Sequence, residues 1–227
     1  MNWVDFFVAV VLVVTVAIGY KSGLFRTIAT FLGLIITTVF SVNHADWLAM
    51  QLEGTIAISP SLRYMFCFIV LFLFGFVVFK LIGHYFYRMV KLTPLRYPDM
   101  IGGGIFGLFK GLVVLSLIFI MFIFIPGFHS FNDSIDESAM APYIRQLLPF
   151  TFELTEPFHP ESGPFVYKIK KGILGSNADE YLKNSESLID KQEVLGYSFK
   201  DQSVINNIDK YFGEKFELAK KEAGKLR

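Results

Sequence analysis

An all-α membrane protein, with four transmembrane helices and a mostly helical polar C-terminal tail, is the fold class this sequence predicts, and two observations predict it. Charge is divided unevenly. Of 41 charged side chains only 12 lie in residues 1–126, eight basic and four acidic, and the other 29 follow Pro126. Residues 1–126 hold four long apolar runs separated by short polar breaks. Crossing a hydrocarbon core of ~30 Å takes about 20 helical residues, and backbone groups in lipid must bond within their own segment, so such runs form helices.

The first helix is expected at 3–20. Asp5 is the only charge before its apolar core, which runs on into Gly19-Tyr20-Lys21. A secretory signal needs a basic start and a small-residue cleavage site, so this run reads as a retained helix. The second helix is expected at 27–43. The third, at 64–82, carries ten Phe, Val and Leu residues between Phe68 and Phe79, broken by Gly75. The fourth, at 101–125, stops at Pro126-Gly127, because proline cannot continue the hydrogen-bond ladder. Three regions follow from this reading: a transmembrane domain over 1–126, a membrane-proximal segment and linker over 127–165, and a helical soluble tail over 166–227.

Orientation follows from the bases in the short loops, which stay on the cytoplasmic side. The first loop holds Lys21 and Arg26, and the third holds Arg88, Lys91 and Arg96, with Lys80 able to reach toward it. The loop from Asn43 to Arg63 carries Asp46, Glu53 and one base at its edge. Both chain termini are therefore expected on the outer, periplasmic side.

Beyond Pro126, residues Phe131 to Phe152 mix acids and prolines with the apolar group Ile144, Leu147 and Leu148, as a short helix resting on the membrane surface would. Pro157, Pro160, Gly163 and Pro164 mark a turn-rich linker. Asn177 with Glu180 three residues on has the spacing of a helix N-cap and its partner. Ile205, Ile208, Phe212, Phe216 and Ala219 recur at spacings of three and four, giving one apolar stripe. That stripe needs a cover: the rest of the tail, a partner chain or lipid headgroups.

Gly103, Gly107 and Gly111 stand four apart at the start of helix four. Glycine there lets another backbone approach closely, the usual basis of helix packing in lipid. Thr30, Gly33, Thr37 and Ser41 form a second small-residue stripe on helix two, so helices two and four are candidates to pack together. Asp99 is placed to cap helix four, where a carboxylate is favoured by free amides and the dipole. Lys110 lies deeper, about 13 Å into that helix. A charge at depth is costly, so Lys110 either snorkels to the surface or lines a water path or an oligomer contact. Asp5 suits an interfacial or capping role.

Several functions find no support. Gly102-x-Gly104-x-x-Gly107 matches a dinucleotide fingerprint in letters only, because Pro94 and Pro98 precede it and an apolar run follows. A net charge of +1 without a dense basic patch gives no reason to expect nucleic acid. Cys67 is the lone cysteine and can form neither an internal disulfide nor a multi-cysteine metal site. His44, His84, His129 and His159 are expected in separate loops, without metal-ligand spacing. No nucleophile sits in a recognisable elbow, so no cofactor, metal or catalytic residue is expected.

Taken in order, Asn2-Trp3-Val4-Asp5, the basic turn from Gly19 to Arg26, Gly33, then Asp99 with Gly103, Gly107, Lys110 and Gly111, and finally the stretch Ser134 to Pro149 resemble the colicin V production protein (CvpA) family. The resemblance spans roughly residues 1–150. It implies a four-helix bacterial inner-membrane protein associated with colicin V production or export and with envelope homeostasis, without an assigned reaction. The reading favoured is a non-enzymatic protein acting as an oligomer or within a membrane complex. Two alternatives stand beside it: a channel or transporter subunit with a path near Lys110, and a scaffold recruiting an unknown protein partner through Ile205, Ile208, Phe212 and Phe216.

Overall fold

A computed structural model describes residues 2–55, 58–89, 96–125, 128–159, 163–175 and 203–212. Four long helices come first: α1 (Trp3–Ser22), α2 (Leu24–Gln51), α3 (Pro60–Met89) and α4 (Arg96–Ile123). Each is long and apolar enough to cross a bilayer, and among the described residues no strand occurs. Short helices follow: α5 (His129–Asp136), α6 (Ala141–Arg145), α7 (Leu147–Leu154) and a 3-10 turn at Glu156–Phe158. Then come α8 (Phe165–Leu174) and a last described helix, α9, over 203–212.

Three of the long helices outrun the apolar segments that announce them. Helix α2 has 28 residues, about 42 Å at 1.5 Å per residue, well beyond a ~30 Å core. Its extension, Asn43 to Gln51, was expected as loop. It remains helical because Ala45, Asp46 and Ala49 are buried there against α8. Hydropathy stops counting where water begins, whereas packing does not. For the same reason His44 lies within α2, its Nδ1 donating to Phe40 O at 2.8 Å and its ring stacked on that of Phe40, and His84 lies within α3.

The four spans pack as a row rather than a closed square: α1 along α4, α4 along α2, and α2 along α3. One end of the row, the turn end, carries the α1–α2 turn. The other carries the start of α1, the end of α2, the start of α3 and the end of α4. Helices α5 to α9 close this second, capped end. The largest core brings Tyr64, Phe68 and Phe124 together with Leu148, Phe152, Phe165 and Ile173. A second, smaller core joins Val4 and Val8 of α1 to Leu115, Phe119, Ile135 and Ile144.

The cap reaches into the bundle. Ser116 Oγ donates to Arg145 O at 3.0 Å and accepts from Leu148 N at 2.9 Å, at a depth about 10 Å short of the end of α4. These bonds satisfy backbone groups at the break between α6 and α7 in a place where water cannot. Outward, Tyr143, Phe150, Leu154 and Phe158 are exposed, the amphipathic arrangement of a segment lying at a membrane interface. In the linker, Gly163 takes a φ of 69° just before α8 starts.

Candidate functional site

Helices α1 and α4 lie in close contact. Gly103, Gly107 and Gly111 face Thr15 and Gly19, so closely that a Cβ on Gly107 would stand 2.6 Å from Thr15 O and 3.2–3.3 Å from Gly19 Cα and Thr15 C unless α1 withdrew. Backbone meets backbone here. Helix four was expected to offer this stripe to helix two; it offers it to helix one, whose own Thr15, Gly19 and Gly23 repeat every four residues. That spacing was readable in the sequence and is the complement that a glycine stripe requires. Helix α2 turns its small residues mainly toward α3: Gly33 admits the Phe79 side chain, and Thr37 sits against Gly75. Thr38 and Ser41 return their hydroxyls to Leu34 O and Thr37 O at 2.8 and 2.7 Å.

Gly23 alone separates α1 from α2, with φ 80°, a conformation that a side chain would strain. Asp99 holds the turn. Its Oδ1 accepts from Leu24 N at 2.8 Å, and its other oxygen lies against Gly23. The expectation that Asp99 caps its own helix is thereby corrected. Helix α4 starts at Arg96, so Asp99 falls inside the first turn and projects across to the free amide opening α2. The favourable charge–dipole pairing survives, but it joins two helices instead of finishing one. Asp99→Ala is expected to lower stability by about 0.5–2 kcal/mol, with Asp99→Asn keeping part of it because an amide oxygen still accepts. Thermal unfolding in detergent, followed by circular dichroism, checks this. Equal midpoints for Asp99→Ala and the wild type would contradict it.

At the capped end Asp5 performs the corresponding task. It is buried. One carboxylate oxygen accepts from Asn2 N at 3.0 Å, and the other from Ser138 Oγ at 2.5 Å and Ala139 N at 3.1 Å. Ser138 Oγ in turn accepts from Ala141 N at 3.1 Å, at the start of α6. Asn2 Nδ2 adds a bond to Ser134 O at 2.8 Å. The first turn of α1 is thus stitched to the loop after α5 by charge-assisted hydrogen bonds, the stronger kind.

Lys110 is half-buried, and its Nζ reaches Thr30 Oγ1 of α2 at 3.4 Å. Thr30 gives its own proton to Thr27 O at 3.0 Å. Lys80 and Arg26 are near enough to Lys110 to act on it electrostatically.

The apolar stripe of the tail faces inward. Val204, Ile205, Ile208 and Phe212 are buried in the main core, with the Phe212 ring 6.3 Å from that of Phe165. The surface expected to recruit a partner is therefore the seam by which α9 docks onto its own chain. Phe216 and the Asn177–Glu180 cap lie outside the described residues. Around the seam sits a cluster that the sequence did not single out. Asp136 accepts from Arg145 at 2.6 Å and from Lys210 Nζ and Tyr211 OH at 3.0 Å each. The Arg145 guanidinium lies 3.6 Å above the Tyr211 ring. Lys170 and Asp209 form a further ion pair, as do Lys168 and Asp46 at 3.3 Å. Burial alone would raise the Asp136 pKa, but hydrogen bonds from Arg145, Lys210 and Tyr211 outweigh it and hold the carboxyl below its ordinary value. The hydrogen bond to Asp136 raises Lys210, and burial, reinforced by that carboxylate, raises Tyr211.

Among the described residues, no group of three His, Cys, Asp or Glu side chains stands where it could hold a metal ion. The geometry is that of a helix row pinned at both ends, with a docked tail. A family profile described as Colicin V production protein matches residues 4–149. No curated protein and no solved structure matches the chain.

Proposed function

The chain belongs to the colicin V production protein family, and from that premise we propose that it is a non-enzymatic inner-membrane protein supporting production or export of a colicin V-type toxin and envelope homeostasis. The family match carries the reading. It runs from Val4 into α7, taking in the four spans, the Asp99 turn, the Asp5 latch and the segment that closes the capped end. The proposal sets the turn end in the cytoplasm and the cap in the periplasm. Its support is that Lys21, Arg26, Lys80 and Lys110 lie toward the turn end, while Asp5, Asp46 and Glu53 lie toward the cap.

The scaffold alternative is not carried further, because Ile205, Ile208 and Phe212 are buried within the chain. Nor do the glycine and threonine stripes support an oligomer, since α1, α3 and α4 of the same chain occupy them. The test is genetic. Deleting the gene from a colicin V-producing strain should reduce toxin activity in the medium, and the wild-type chain supplied in trans should restore it. Undiminished release from the deletion strain would sink the reading.

A further inference from the structure

The turn end concentrates positive charge where the chain supplies almost no negative charge. Between Glu53 and Asp133 the only acid is Asp99, and Asp99 is engaged by Leu24 N. Between Asp5 and Asp46 there is none. Among the described residues no carboxylate pairs with Arg26, Lys80 or Lys110.

The three bases nevertheless converge. Arg26 and Thr30 are four apart on α2 and share a face. Gly33, three residues further, packs on Phe79, which fixes Lys80 of α3 at that level. From the other side Lys110 of α4 is held to Thr30 Oγ1 at 3.4 Å. An ammonium has three protons to donate, and this contact uses one.

Like charges gathered at the edge of a hydrocarbon layer repel one another and lose hydration, so the arrangement is costly unless an anion completes it. The surroundings show from which side that anion comes. Arg26 and Lys80 are exposed, and exposed Phe25, Val77, Leu81 and Phe109 stand within one helical turn of the three bases along their own helices. It opens onto the lipid-facing surface.

We propose that Arg26, Lys80 and Lys110 form a binding site for the phosphate of an anionic phospholipid headgroup, with the acyl chains lying along the apolar surface beside it. Lys110, steadied by Thr30, is the fixed donor, and Arg26 and Lys80 close on the phosphate from the two flanking helices. The site does not depend on toxin export.

The test uses the full-length protein in phosphatidylcholine vesicles containing spin-labelled phosphatidylglycerol or spin-labelled phosphatidylcholine. The motionally restricted fraction of each label gives the lipid selectivity. Wild-type protein should select phosphatidylglycerol, and Lys110→Gln should lose about fivefold of that selectivity, as expected for one base near the surface. Lys110→Arg should retain it. Lys80→Gln, at an exposed position where folding is not at risk, should lose a similar factor. Equal restriction of the two lipids by the wild type would overturn the proposal, as would unchanged selectivity in Lys80→Gln. Loss of selectivity on adding millimolar inorganic phosphate would overturn the lipid as source and assign the site to a soluble anion.

Discussion

Gly107→Ala is expected to force α1 away from α4 and destabilise the protein by about 1–3 kcal/mol, the usual cost of overpacking. The upper part of that range applies, because the first atom met is a backbone oxygen, Thr15 O at 2.6 Å, and not the end of a side chain able to swing aside. Replacing glycine within a helix also brings a gain of up to about 1 kcal/mol in helix propensity. The clash outweighs it. Gly104 supplies the control, since a Cβ there would meet only Val16 and Tyr20 carbons at 3.8 and 3.9 Å, an ordinary contact. Gly104→Ala should therefore match the wild type or exceed it slightly. Thermal midpoints of the three proteins in one detergent decide the matter, and similar midpoints for the two variants would show that α1 and α4 are not in backbone contact.

Asp136→Asn is expected to release α9. Arg145, whose side chain is 5% exposed, would keep its charge and lose the carboxylate facing it. Breaking a buried pair from one side costs about 3–5 kcal/mol, and the low end applies here because the Asp136 side chain is 27% exposed. Lys210 and Tyr211 share that carboxylate, and an asparagine offers the three donors one neutral oxygen in place of two charged ones, so the loss falls on the docked tail. Amide hydrogen exchange across 203–212 should accelerate strongly, while exchange in α1 to α4 should change little. Unaltered protection over 203–212 would show that the apolar seam alone holds the helix.

Acid should imitate the substitution. The folded pKa of Asp136 lies below the ordinary aspartate value, so its unfolded state takes up a proton first as pH falls. The stabilisation is fully present above about 3.8 and is lost as pH drops through the lower, folded value. Around neutrality the clamp does not vary with pH.

The four spans and their order were legible because lipid makes two demands, length and hydrophobicity, that composition displays openly. The tail stripe was legible as a stripe, since a period of 3.6 belongs to one helix. Its cover was not, because Phe165 and Phe152 lie across a linker whose path no local pattern encodes. Asp99 was legible as a cap but not as the cap of α2, a choice that depends on where α4 begins and on how closely Gly103 lets α1 approach. Asp136 and Arg145 look like ordinary surface charges in a polar segment. Their bond to each other spans nine residues, but only the return of α9 brings Lys210 and Tyr211 to Asp136, across 74 and 75 residues of chain.

The latch at Asp5 has a consequence for how the protein is made. Asp5 meets Ser138 across 133 residues of sequence, and Asn2 meets Ser134 across 132. Helix α1 also rests on α4 rather than on α2, its neighbour in the chain. Helix α1 is thus made before the other three spans but finds its place only after them. At ~5–20 residues per second it waits in the bilayer for on the order of ten seconds, tethered at Gly23, until the fourth helix and the segment behind it emerge. A nascent chain halted before Ser138 would be left with α1 unlatched.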